Sequence, residues 1–356
     1  MSDAASEARR GGGRRWAIVL LLLLTLAVAA VVSVQFVLSA PSATPRATEF
    51  EVLPGWGGAR VAQELEAAGL VRSALAFRYY LRFTEADRSV GEGLYDLSPT
   101  MSAAEVAVAL EAGGRPRTVS IVVPEGWRAS DVVRRLAANG IGTEAEIESL
   151  VTLPGDLAPA YLPERANLEG YLFPATYDVP VSSSPEAVLN TMLERFHDEL
   201  TDEVVNALLE RSLSVHEWVT LASIVQSEAA SHEEMPIIAG VFLNRLDDGM
   251  LLQSDPTVAY GLGKPMPELS ALAGDLRRDT PWNTYMRPGL PATPISNPGS
   301  HALHAVLEPV RLNEDGVPWL YFLHGTDGGI PVFRPNTNLA AHERDVVVFL
   351  RNDGRR

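Results

Sequence analysis

Nineteen consecutive residues, Trp16 to Val34, hold only two polar side chains, Thr25 and Ser33. A run of that length crosses the hydrocarbon of a bilayer, so the rest of the chain must fold on one side of a membrane. Arg9, Arg10, Arg14 and Arg15 precede the run, and the next charge after it is Arg46. That asymmetry keeps the N-terminus in the cytoplasm and puts everything after about residue 40 outside. A cleaved signal peptide is the competing reading. The apolar stretch is long for one, and cleavage after Ala40 or Ala43 puts Leu38 or Pro41 where a small residue belongs. We therefore expect a cytoplasmic tail at 1–15, an uncleaved single-pass anchor at 16–38 in the plasma (inner) membrane, and a linker at 39–47.

Charge and composition narrow the chemistry. The chain carries a net charge of −16, of which residues 1–15 supply +2, leaving −18 for residues 16–356. A polyanion is repelled by that field, which excludes nucleic acid as a partner. The absence of cysteine excludes a disulfide scaffold, thiol catalysis and Cys-ligated zinc.

An internal repeat follows the linker at an offset of 71 residues. Gly55-Trp56 matches Gly126-Trp127, Val61 matches Val132, Leu65 matches Leu136, and Gly69-Leu70 matches Gly140-Ile141. Each copy reads as a strand, then an amphipathic helix closed by glycine. Residues 101–113 repeat the helical part, and RTVSIVV (117–123) alternates as a strand does. The expected fold class is α+β: the membrane helix, a compact α+β module at 48–142, and a mixed α+β domain at 143–351. In that domain, helices are expected at 184–200, 214–230, 236–249 and 340–350. Residues 319–323 and 330–333 read as a hairpin around HGTDGG, and 251–300 as mostly loop.

Ser214 and Glu217 have capping-box spacing, and behind them Trp218, Leu221, Ala222 and Val225 mark one apolar helix face. Continued by one step, that face reaches Glu228. A carboxylate there either ends the helix facing water or is desolvated and keeps its proton, as a general acid must. Position alone leaves both open. The loop that follows offers Gln253, Ser254, Asp255, Thr257, Tyr260, Asn283, Thr284, Tyr285 and Asn297, with Trp282 as flat apolar surface. Amides, hydroxyls and aromatic rings with few cations suit a sugar, although Asn, Thr and Pro also simply make turns. No H-E-x-x-H, G-x-S-x-G or phosphate-loop frame is present, so we expect neither metal nor nucleotide chemistry and no cofactor.

The strings LASIVQSEA (221–229) and AGVFLNRLDDGMLLQSDPTVAYGLG (239–263) resemble the YceG-like family, the endolytic murein transglycosylases also called MltG. So do LEGYLFPATY (168–177), TPWNTYMRPGLPATPISNPG (280–299), LYFLHGTDGG (320–329) and TNLAAH (337–342). The resemblance covers about residues 50–350 and includes the anchor. It implies a LysM-like glycan-binding module before the catalytic domain, and a catalytic glutamate that falls on Glu228. Many relatives carry a second Glu two residues earlier. This chain has Gln226 there, which cannot transfer protons.

The resemblance further implies cleavage of the β-1,4 bond between N-acetylmuramic acid and N-acetylglucosamine inside peptidoglycan, leaving 1,6-anhydro ends. The implied partners are glycan strands and, beside them, penicillin-binding proteins and the elongation machinery. Glu169 and Asp255 are expected to hold the sugar or orient Glu228, unless each merely caps a loop. Gln253, Ser254, Tyr260, Asn283, Thr284, Tyr285 and Asn297 are assigned to glycan subsites. A muramidase-type hydrolase and a non-catalytic wall-binding protein are the alternatives.

Overall fold

The computed structural model describes residues 4–88 and 90–351. The chain divides into two compact units, Met1–Arg117 and Thr118–Arg356.

The first unit begins with helix α1, Ala4–Leu38, whose segment Trp16–Leu38 is long and apolar enough to cross a membrane. Strand β1 (Thr48–Val52) pairs antiparallel with β2 (Gly93–Leu97), in a register that sets Phe50 opposite Tyr95. Helices α2 (Gly58–Ala67) and α3 (Ala74–Phe83) lie between the two strands in sequence, and α4 (Ala103–Glu111) follows. Period-two burial turns Phe50, Val52, Tyr95 and Leu97 inward, where they meet Val61, Leu65, Phe77, Leu81 and Leu110. Leu38 packs against this core, so the end of α1 belongs to the unit. The Arg72 guanidinium sits 4.5 Å over the Phe36 ring and donates to the Ala40 carbonyl (2.7 Å).

The second unit starts with the same order. Strand β3 (Thr118–Val123) is followed by α5 (Ala129–Ala138) and α6 (Glu144–Thr152), and then pairs antiparallel with β4 (Ala175–Pro180). The sequence repeat is therefore a repeated β-α-α-β unit. Gly55 and Gly126, which lead into α2 and α5, have φ of +82° and +77°, a left-handed turn that glycine makes without strain. The module was expected to run to 142, whereas the two compact units meet at 117/118. The ladder partner of β3 lies at 175–180, and Val132, Leu136 and Ile141 belong to the core that also holds Leu221 and Ile224. Tertiary pairing, which local periodicity does not encode, assigns the second copy to the larger unit.

Six helices and a hairpin complete that unit: α7 (Pro185–His197), α8 (Asp202–Glu210), α9 (Val215–Glu228), α10 (Met235–Asp247), α11 (Asp255–Gly261) and α12 (Ser300–Leu307), then β5 (His324–Asp327) and β6 (Ile330–Phe333). The last helix, α13 (Leu339–Asp345), ends in a π-helical turn through Arg351. Two expectations shift. HGTD is strand rather than turn, because the reversal needs only Gly328 and Gly329, both at positive φ (+59° and +84°) as a type I′ hairpin requires. The long loop also holds one unforeseen short helix, α11, and a second, α12, begins at its end; both are too short for apolar periodicity to register.

Helix α9 is buried without interruption from Trp218 to Val225, and α10 and α12 pack against it. The indole N–H of Trp218 donates to the Leu303 carbonyl (2.8 Å), fastening α9 to α12. In the middle of α10, Gly240 lies so close to the next segment that an added Cβ would stand 2.2 Å from the Val310 carbonyl oxygen. Gly240→Ala should therefore lower stability by about 1–3 kcal/mol despite its better helix propensity, read as a shift in the denaturant midpoint.

Candidate active site

The capping box forms as its spacing indicates: Ser214 Oγ accepts from the Glu217 amide (3.2 Å), and the Glu217 carboxylate accepts from the Ser214 amide (2.9 Å). Fourteen residues later α9 stops, because Ala229 turns extended (φ −70°, ψ 136°). Glu228 is thus the last helical residue, and it is also half-buried, so the two readings of its position meet. Burial pushes its carboxyl up to about 7; the nearby Asp255 adds to the rise, while Ser254 and Arg245 oppose it.

The hydroxyl of Ser254 donates to Glu228 Oε1 at 2.6 Å. Several bonds hold that serine. Its amide donates to Thr284 Oγ1 (3.0 Å), the Thr257 hydroxyl donates to its carbonyl (2.6 Å), and Thr257 and Thr284 hydroxyls bond each other (2.8 Å). Gln253, exposed and at φ +54°, makes the sharp turn that presents it, a conformation a non-glycine residue adopts only when neighbours impose it. Asp255 accepts from the Tyr285 hydroxyl (2.6 Å). Arg245, a residue the sequence reading passed over inside FLNR, is buried with its Nε and Nη1 donating to the carbonyls of Leu320 and Leu252 (both 2.7 Å). A buried cation on backbone carbonyls is paired by tertiary structure alone, which no sequence spacing reveals.

The other expected site residues separate by burial. Asn283 is fully buried, its Nδ2 donating to the carbonyls of Leu276 (3.1 Å) and Arg278 (2.8 Å), and its Oδ1 accepting from the Tyr285 amide (2.9 Å). Asn297 is buried too. Its Oδ1 accepts from the amides of Gly170 and Leu172 (3.0 Å each), and its Nδ2 donates to the Trp127 carbonyl (2.9 Å). Thr284 and Ser254 are likewise enclosed. Asn283, Thr284, Ser254 and Asn297, expected at glycan subsites, are thus enclosed, with their side chains bonded to backbone, to one another or to Glu228. Gln253, Asp255, Tyr260 and Tyr285 keep some exposure.

Glu169 occupies a different buried position. It accepts from the Ala129 amide at the start of α5 (2.8 Å) and from the Tyr260 hydroxyl (3.0 Å), and the Arg128 guanidinium lies 5.2 Å over the Tyr260 ring. Burial raises its carboxyl to about 7, against those two hydrogen bonds and Arg128. Gln226 accepts from the Gly299 amide (3.0 Å) and so ties α9 to the start of α12. Gln226, Ser227, Pro256, Ser296, Glu125 and Arg128 line part of a largely polar groove of about 260 Å³.

One group among the described residues, Glu125, His232 and His301, brings three ligand atoms within 4.8 Å of one another. All three are exposed, and the two imidazoles stack face to face at 3.9 Å and 10°. In-plane lone pairs of stacked rings run parallel instead of converging on one ion.

The sequence matches the model of the YceG-like family over residues 50–347. The chain belongs to the YceG-like family. Among curated relatives, it is similar to the endolytic murein transglycosylase of Streptococcus pneumoniae strain D39, 29% identical over 309 residues, covering 79% of this chain and 54% of the relative. It is also 29% identical over 284 residues to that of Bacillus subtilis, covering 76% of each. The chain spans about half the length of the streptococcal relatives it matches. A crystal structure of a putative YceG-like protein from Listeria monocytogenes aligns with a TM-score of 0.54 at 28% identity, covering 85% of this chain and 99% of that one. The family match reaches both β-α-α-β units and the whole of the Glu228 site.

Glu169 provides a pH test. A carboxyl whose folded pKa, about 7, exceeds its ordinary 4.5 favours the folded state fully below pH ~4.5 and loses that contribution as pH rises through 7. Glu169→Gln should be close to the parent at pH 5. At pH 8 it should gain on the order of 3 kcal/mol relative to the parent, read as a melting-temperature gap that opens between the two pH values.

Proposed function

We propose that this chain is a lytic transglycosylase of peptidoglycan, with Glu228 as its single acid and base. One observation carries the reading: a half-buried carboxyl at a helix end, pushed up to about 7 and held by one hydroxyl donor. At neutral pH such a group is shared between its two protonation states, as a residue that must first give and then take a proton requires. Protonated Glu228 donates to the glycosidic oxygen as the bond from C1 of N-acetylmuramic acid breaks. The resulting carboxylate then accepts the proton of the C6 hydroxyl, whose oxygen closes on C1. The products are a free N-acetylglucosamine 4-hydroxyl and a 1,6-anhydro end, and Glu228 regains its proton.

Ser254 fixes the carboxyl's rotamer. Asp255 acts electrostatically: its charge favours the protonated form of Glu228, and the Tyr285 hydroxyl occupies one of its oxygens. Gln253, Tyr260 and Tyr285 are the residues we assign to sugar contact. The curated relatives are named endolytic murein transglycosylases, which supports the substrate class. With α1 in the membrane and the N-terminus in the cytoplasm, both units face the wall. The first unit, read as LysM-like, adds a second hold on glycan. Cleaving strands as synthases and the elongation machinery extend them is the biological role that fits an anchored endolytic enzyme.

A muramidase-type hydrolase would use the same acid with a water nucleophile and a second carboxylate. Mass spectrometry of digested sacculi separates the two, and we expect anhydro ends only. Glu228→Gln should lower the rate by about 100-fold or more while sacculus binding persists. Unchanged cleavage in that variant sinks the assignment. In Asp255→Asn, loss of the neighbouring anion should lower the Glu228 pKa, so the high-pH limb of kcat/KM moves to lower pH. An unmoved limb contradicts the electrostatic role of Asp255.

A further inference from the structure

Helix α3 has two apolar faces. Phe77 and Leu81 fill the core of the first unit, while Leu75, Tyr79 and Phe83 form a stripe on the other side, 64%, 66% and 90% exposed. Contiguous apolar exposure of this kind marks a contact surface. Its neighbour identifies the contact. Val34, Val37 and Leu38 of α1 line one groove together with Leu75, Tyr79 and Phe83, so α3 stands level with the last turns of the apolar span. The bond from Arg72 to the Ala40 carbonyl and its packing on Phe36 fix that level.

We propose that the outer face of α3 is a membrane-docking surface, seated in the outer-leaflet headgroup and upper acyl region through Leu75, Tyr79 and Phe83. Ser33 to Leu38 rise about 7.5 Å at a helix's 1.5 Å per residue. That matches the depth of about 5–10 Å to which interfacial helices sink an apolar face. Tyrosines at this height are the aromatic belt of a membrane boundary. Charge agrees as well. Residues 71–83 hold Arg72, Arg78 and Arg82 and no acid, in a chain whose residues 16–356 carry −18, so this segment favours anionic lipid phosphates against the prevailing charge. Docking holds the first unit down on the bilayer and leaves the short linker no freedom to swing it away.

The proposal rests on the reading that α1 spans the membrane, and one experiment separates the two. The absence of cysteine makes single-site nitroxide labelling clean. The full-length chain carrying Tyr79→Cys or Phe83→Cys is reconstituted in phosphatidylethanolamine–phosphatidylglycerol vesicles. Val28→Cys in the span and Leu272→Cys, fully exposed in the other unit, are the references. Collision with oxygen reports lipid, and collision with a water-soluble nickel chelate reports solvent. Positions 79 and 83 should shift to the oxygen-rich profile of Val28. Nickel-accessible profiles at 79 and 83, with Val28 still lipid-like, overturn the docking and point to a protein partner for this face. A nickel-accessible Val28 overturns the spanning reading itself. Each label replaces one exposed residue, so folding is not at stake, and circular dichroism of the labelled chains checks it.

Discussion

The second unit is built around α9, a helix enclosed on every side through its middle turns. From Trp218 to Val225 every residue of α9 is buried, so the surrounding elements supply apolar contact and, Thr220 Oγ1 excepted, partners for its few polar side-chain atoms. Ser223 shows how. Its hydroxyl donates to the Thr220 carbonyl (2.7 Å) and accepts from the Ile295 amide (3.0 Å), drawing the loop before α12 onto the helix. Ser227 and Ser296 continue the same seam at 3.2 Å. Enclosure of the helix body is what makes the environment of Glu228 poor in water. The raised pKa of that carboxyl is a consequence of packing that begins three turns earlier.

The support around Glu228 is a graded set of constraints. Thr257 and Thr284 lock Ser254, and Ser254 locks Glu228, while Arg245 anchors the chain between α10 and this turn by bonding the Leu252 carbonyl. None of these residues needs to touch a substrate. The strained backbone at Gln253 is held by the Thr284 carbonyl accepting its amide (3.1 Å), so the strain sits next to the acid where rigidity matters most.

What could be read from the sequence was whatever short-range physics enforces. The capping box at Ser214, the glycines of the repeat and the apolar run of α1 each act within a few residues, and each formed as spaced. Glu228 stood out because the apolar face of α9, continued by one step, arrives at a carboxylate; spacing left its role open, and only the family resemblance supplied one. The enclosure of Asn283 and Asn297 was illegible for an equally physical reason. An amide in a proline-rich loop looks like a free hydrogen-bonding group, and only the tertiary fold shows that its partners are the backbone of Leu276, Arg278, Gly170 and Leu172. The boundary at 117/118 was hidden similarly, since nothing local distinguishes a strand that pairs forward to residue 175 from one that pairs back.

The two β-α-α-β units differ chiefly in the segment before their closing strand. In the first, residues 84–92 join α3 to β2; in the second, residues 153–174 join α6 to β4. Nine residues have become 22, and the longer stretch carries Glu169, Gly170 and Leu172, all engaged by groups of the catalytic unit. Closing a loop of twice the length costs only about 0.6 kcal/mol more. The same β-α-α-β order thereby serves inside a larger core at little thermodynamic expense, because one long connection carries Glu169, Gly170 and Leu172 to partners far along the chain.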